Sequence, residues 1–153
     1  RKYRLPTDHE WSCAAGIGER EDARDLPINK ANHFMGIYVW GLEWPPPVGA
    51  GNVGDEALRR MNGQNIETDG YDDGYGTTAP VMSFAPNALG IHDLVGNVWE
   101  RCPDWFDTTR TRHLGRGESF NNAERNYLHA SVRNAIKPET RQENYGFRIV
   151  AEK

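Results

Sequence analysis

Thiols are scarce in this 153-residue chain: only Cys13 and Cys102 occur, too few and too far apart for a disulfide framework or a Cys-x-x-Cys metal site. Both read as buried free thiols. The five histidines, at 9, 33, 92, 113 and 129, show no His-x-x-x-His spacing, so no histidine-held metal is expected. No apolar run approaches the ~18 residues of a membrane-spanning helix. A signal-peptide pattern is also missing, so the sequence assigns no compartment. Lys plus Arg number 18 against 22 Asp plus Glu, a formal net charge of −4 with the two signs interspersed. Without a basic stripe, a nucleic-acid partner held by phosphate neutralisation is not expected. There are no repeats or low-complexity tracts. What is present suits one domain over 1–153: 37% hydrophobic residues, with five Trp, six Tyr and five Phe, suffice for a core.

Thr7-x-x-Glu10 is a capping box, in which hydroxyl and carboxylate satisfy helix N-terminal amides reciprocally. It predicts a helix from about Asp8 to Ala15, stopped at Gly16, with Trp11 and Ala15 on the buried face. Glu19 to Leu26 predicts a second short helix ended by Pro27, and 28–36 reads as irregular. Ile37-Tyr38-Val39-Trp40 has the β-branched and aromatic character of a strand. Trp44-Pro45-Pro46-Pro47 and Gly49-Ala50-Gly51-Asn52 exclude a regular helix or central strand. Asp55 to Met61 predicts one or two helical turns, and Asp69 to Gly76 returns to turn chemistry. This glycine and aromatic interleaving is too apolar for disorder, so a ligand, metal or packing partner is expected to organise it. Further strands are predicted near Val98–Cys102, His113–Arg116, His129–Asn134 and Gly146–Val150.

Asn87 to Trp105 is the densest stretch, with turn glycines, acidic side chains and two tryptophans in one run. Asp93 and Glu100 bracket Gly96 and Val98, whose alternate backbone carbonyls can face the side of Glu100. Two carboxylates with interleaved carbonyls suit calcium, a hard cation taking about 6–8 oxygens. Solvated loop carboxylates are the alternative that spacing alone leaves open.

Four ordered blocks cover nearly the whole chain: Arg4-Leu5-Pro6-Thr7-x-x-Glu10-Trp11, Thr78-Ala79-Pro80-Val81-x-Ser83-Phe84, Gly96-Asn97-Val98-Trp99-Glu100 and Gly146-Phe147-Arg148. Together they resemble the formylglycine-generating enzyme, or sulfatase-modifying factor, domain family. The resemblance implies an α+β, loop-rich, C-type-lectin-like fold with little regular secondary structure. It also implies that the N-terminal part of the domain lies outside this chain, and leaves room for fusion to an upstream domain. Two structural calcium sites are implied: one on Asp93, Glu100 and the carbonyls of Gly96 and Val98, the other on Asn52, the Val53 carbonyl, Asp73 and the Tyr75 carbonyl.

Catalytic members of the family oxidise a substrate cysteine with copper(I) held by two cysteines. Soft copper(I) needs thiolates. Aligning Arg116-Gly117-Glu118-Ser119-Phe120 with the family's Gly-Gly-Ser-aromatic motif places Asn122 and Tyr127 where those cysteines stand. No copper is therefore expected, and Glu118 departs from the motif's second glycine. A binding module for a peptide or protein leads instead. Its expected surface lies within 120–145 and comprises Asn121, Asn122, Glu124, Arg125, Tyr127, His129, Arg133 and Asn134, with Asn126 in the same stretch; Tyr and Asn give broad contact and adaptable hydrogen bonding. Two alternatives stay open: an oxidase or an accessory domain of a non-heme iron sulfoxide synthase, and a lectin-fold variable ligand-binding protein of a diversity-generating retroelement. Trp11, Trp99, Trp105 and Phe147 are expected in the core, and Arg148 is expected to pair with a buried carboxylate.

Overall fold

The structure is a computed structural model that describes residues 1–152 of the chain. Thr7 caps helix α1 (Asp8–Ala14) with the complete capping box, and Gly16 at φ 81° lets the chain leave the helix. One face of α1 buries Asp8, Trp11 and Ser12. Burying an aromatic of this size stabilises by roughly 1.5–3 kcal/mol. Cys13 falls off that face and is exposed, contrary to the expectation of a buried thiol, whereas Cys102 is buried.

The expected helix over 19–26 is reduced to a 3-10 turn at Gly18–Arg20. Asp22 explains the loss: its carboxylate accepts the Arg24 backbone N–H at 2.9 Å and pairs with the Arg24 side chain, offering the backbone a local alternative to the helix. Pro27 then opens a one-turn helix, α2 (Pro27–Lys30), inside the region expected to be irregular. The strand expected at Ile37–Trp40 is only an isolated bridge between Tyr38 and Gly41. Its aromatics stack on each other instead, with the Tyr38 and Trp40 ring centroids 4.6 Å apart. Asp55 caps α3 (Glu56–Asn62) by accepting the N–H groups of Ala57 and Leu58.

The strands form two sheets. Antiparallel β1 (Lys2–Arg4) and β6 (Val150–Glu152) bring the ends of the chain together. The larger sheet runs β4-β3-β2-β5, with β2 at Trp99–Trp105, β3 at His113–Arg116, β4 at Asn134–Ile136 and β5 at Tyr145–Gly146. Trp11, Leu94, Cys102 and Leu114 form one core cluster under this sheet; Tyr38, Val53, Tyr71, Val95 and Leu128 form a second under the glycine-rich loops. Phe147, expected in the core, is 68% exposed. Its neighbour Arg148 turns inward to Glu100, and side chains alternate along extended backbone, so Phe147 faces out. Trp105 is half-buried and stacks on His113. Among the described residues, no helix is long and apolar enough to cross a membrane.

Asp8 anchors a buried ionic cluster, accepting Lys30 at 2.7 Å, Arg116 at 2.5 Å and Arg133 at 2.9 Å, while Arg133 also reaches Glu21 at 2.7 Å. The Arg116 guanidinium lies 4.3 Å from the centroid of the Trp11 ring. Arg116 comes from β3, Arg133 from the segment entering β4 and Lys30 from α2, so one carboxylate ties helix α1 to both sheet and loops.

Candidate functional site: an asparagine-lined pocket and an oxygen-rich loop junction

The Gly96-Asn97 turn is the junction of three segments. Gly96 has φ 72°, and a Cβ there would lie 1.9 Å from the Asn52 carbonyl oxygen, so only glycine lets the two backbones approach. Asn97 donates its backbone N–H to Asn52 O at 2.7 Å. Its side-chain amide pairs with both backbone groups of Ala79, at 3.1 and 3.2 Å. The Thr78-Ala79-Pro80 and Gly96-Asn97 blocks thus meet through one amide.

Both predicted oxygen sets border this junction. Asn52 is fully buried; its Nδ2 donates to Thr77 O at 2.8 Å, and its Oδ1 is buried with no partner. Asp73 accepts the N–H groups of Val53 and Tyr75, at 3.1 and 2.7 Å, which gathers Val53, Asp73 and Tyr75 around one carboxylate. Burial, reinforced by the nearby Asp55, raises the Asp73 carboxyl to about 7.

In the other set, Asp93 at φ 55° accepts the Met82 N–H at 2.7 Å through Oδ2, and its Oδ1 is buried without a partner. Glu100 is already engaged, by Trp11 Nε1 at 2.7 Å and by Arg148 on both oxygens at 2.5 Å. This is the buried pairing expected of Arg148. The same guanidinium donates to the carbonyls of His92 and Asp93, at 3.1 and 2.9 Å. Burial raises the Glu100 carboxyl, and the bonds to Arg148 oppose that rise. Among the described residues, no three His, Cys, Asp or Glu side chains converge, so each set depends on its amide and carbonyl oxygens.

A cavity of about 620 Å³ opens beside Trp99. Of the residues expected to bind a ligand, Asn121, Asn122, Tyr127, Arg133 and Asn134 line it. Glu124, Arg125 and His129 do not. Arg125 donates to the Tyr38 hydroxyl at 2.9 Å and lies over the Trp44 ring, and its backbone N–H goes to Glu67. His129 is buried, with Nδ1 accepting the Gly36 N–H at 2.9 Å and its ring stacked on Tyr38. Glu124 is exposed outside the cavity, just before the 3-10 turn Arg125–Tyr127 that swings Tyr127 back to it. Sequence reasoning did not name Asn32, Met35, Trp99, Val132, Asn144 and Tyr145 as lining residues. Trp99 is both core and wall, being 4% exposed.

The Gly117-Glu118 turn precedes this cavity. Glu118 stands where the family motif has glycine, and its backbone keeps the left-handed φ of 67° that glycine favours. Its carboxyl is buried, Oε2 has no partner, and burial raises its pKa well above the usual carboxylate range. Neither thiol lines the cavity; Cys13 is on α1, and burial pushes the Cys102 thiol up, which keeps it protonated.

A mostly irregular chain wrapped around a small four-stranded sheet, with motif loops tied by Asn52 and Asn97, defines a lectin-like domain class. The sequence matches the sulfatase-modifying factor enzyme 1-like domain family over residues 1–153, and the chain belongs to that family. It is similar to the formylglycine-generating enzyme of Thermomonospora curvata, at 30% identity over 169 aligned positions, covering 97% of this chain and 49% of that protein. It is also similar to the inactive C-alpha-formylglycine-generating enzyme 2 of Bos taurus, at 27% identity, covering 99% of this chain and 44% of that protein. Among solved structures, PvdO from Pseudomonas aeruginosa superposes with a TM-score of 0.60 at 22% identity, covering 97% of this chain and 52% of that one, and shares the fold. The chain thus spans about half the length of these two curated relatives.

Proposed function

We propose that this chain is a non-catalytic, calcium-stabilised module of the sulfatase-modifying factor family that binds a peptide or protein in the cavity beside Trp99. The observation that carries the reading is that Asn122 and Tyr127, aligned with the family's copper-binding cysteines, line one cavity with Asn121 and Asn134. An amide and a phenol offer hydrogen bonds and contact area but no soft thiolate for copper(I). The likeness to a relative named inactive is in keeping with this.

Calcium would sit on Asn52 Oδ1, Val53 O, the Asp73 carboxylate and Tyr75 O, and a second ion on Asp93, Glu100 and the carbonyls of Gly96 and Val98. Two of the buried polar atoms without partners, Asn52 Oδ1 and Asp93 Oδ1, belong to these sets, one to each. An unpaired buried oxygen costs roughly 1–3 kcal/mol, which a hard cation would recover. The Asn52 set is the better fit, because at Glu100 a cation competes with Arg148. Bound there, the ion supplies positive charge that clips the two glycine-rich stretches together.

The non-catalytic assignment is tested by incubating the chain with copper(I), oxygen and a cysteine-bearing peptide, followed by mass spectrometry of the peptide. The peptide's cysteine is expected to remain unconverted. Formylglycine formed by the unaltered chain overturns the reading.

A further inference from the structure

Six asparagines line the cavity, at positions 32, 121, 122, 126, 134 and 144. The one charged residue in its wall is Arg133, whose side chain is 0% exposed. All its N–H groups are spent inward: Nε on Asp8, Nη1 on the carbonyls of Lys30 and Ser131, Nη2 on Asp8, Ser12 and Glu21. The cavity therefore presents polarity without an available charge.

The amides are oriented. Ser119 is fully buried, and its hydroxyl is shared between Asn121 Oδ1 at 2.8 Å and Asn122 Oδ1 at 2.5 Å. Asn144 Nδ2 adds a second donor to Asn121 Oδ1 at 3.2 Å. With both oxygens engaged, the free ends of Asn121 and Asn122 are their NH₂ groups, two neighbouring donors. Asn134 Nδ2 donates one of its two N–H groups to the Tyr145 hydroxyl at 3.0 Å, which fixes the amide so that its oxygen is available as an acceptor. Trp99, Met35 and Val132 supply apolar contact.

We propose that Asn121 and Asn122, positioned by Ser119, read carbonyl oxygens of an uncharged peptide segment, so that this cavity selects its ligand on neutrality. The inference rests on the peptide-binding reading of the same cavity. Its physical basis is desolvation. A carboxylate entering here would lose its water opposite neutral amides, and an ammonium would meet the Asn121 and Asn122 donors and a single amide oxygen, with no counter-charge. A peptide carbonyl and N–H meet the donors and the acceptor at no such cost.

The test uses three alanine-derived probes: N-acetylalanine methylamide, which is neutral, N-acetylalaninate, which is anionic, and alanine methylamide, which is cationic. Each is titrated into the full chain while the side-chain NH₂ resonances of Asn121 and Asn122 are followed by NMR. The neutral probe is expected to shift both resonances, with at least tenfold weaker response to either charged probe. Ser119→Ala is expected to weaken the neutral probe and narrow the ranking. Asn122→Asp, which preserves size, is expected to move the preference to the cationic probe; this change in ranking would not follow from a merely structural role. A charged probe binding as well as the neutral one to the unaltered chain overturns the selectivity and leaves the binding reading intact. No shift of any cavity resonance with any probe overturns both.

Discussion

Asp8 is the single side chain on which most of the interior depends, because three cations from three segments end on it. Asp8→Asn leaves Lys30, Arg116 and Arg133 buried with Glu21 as the remaining carboxylate partner, and is expected to cost about 3–5 kcal/mol in denaturant unfolding. Arg116 and Arg133 outweigh the desolvation of Asp8 and hold its pKa at about 2, below the ordinary value of 3.8. Its contribution is therefore complete above about pH 4 and is lost as the pH falls through about 2. Glu118 has the opposite sign. Burial raises its carboxyl, so the folded state keeps a proton that the unfolded chain releases, and stability declines as pH rises above the unfolded value of 4.5. Glu118→Gln is expected to remove that decline, visible as a flatter dependence of unfolding free energy between pH 5 and pH 8. Of these two residues, the sequence flagged Glu118 as a departure from the family pattern; the burial of Asp8 followed from no local signal, since a first-turn aspartate is also what a solvated helix carries.

Among the elements, those with local stop and start chemistry were legible. The Thr7 capping box and the Asp55 cap set α1 and α3 at nearly the expected bounds, and β2 and β3 overlap the strands expected near Val98–Cys102 and His113–Arg116, whereas the strand expected at His129–Asn134 begins only at Asn134 and the one at Gly146–Val150 is split between β5 and β6. Thr7→Ala is expected to cost about 1 kcal/mol, measurable as a lowered denaturation midpoint with unchanged slope. The edge pairing of β1 with β6 was not legible, because both strands are three residues long and their register, Lys2 opposite Glu152, exists only between chain ends. The candidate cavity shows the same division. Asn121, Asn122, Tyr127, Arg133 and Asn134 were found because they share one polar stretch. Asn32 was missed because it arrives from a separate loop at φ 60°, held by its backbone N–H on Ser131 O at 3.1 Å. Glu124, Arg125 and His129 share the stretch but face elsewhere, since the 3-10 turn and the Tyr38 aromatic stack fix their directions.

At the scale of the whole molecule, long loops are held by convergent side chains instead of by regular structure: Asn97 on Ala79, Tyr71 on Gly51, Asp55 on Asp73. A fold of this kind leaves individual buried oxygens to be satisfied by something other than a backbone ladder, and Asn52 Oδ1 is the clearest such atom. Completion of this junction by a hard cation is read out by thermal unfolding of the chain with calcium and with a chelator, alongside Asp73→Asn. Calcium at a hundredfold excess over its dissociation constant would stabilise the folded state by about 2.7 kcal/mol. For a domain of this size that corresponds to about 2–4 °C in Tm for each kcal/mol. A cooperative transition raised by calcium is expected in the unaltered chain, with that increment lost in Asp73→Asn. A cooperative transition at the same temperature in calcium and in chelator would contradict completion of the junction by calcium.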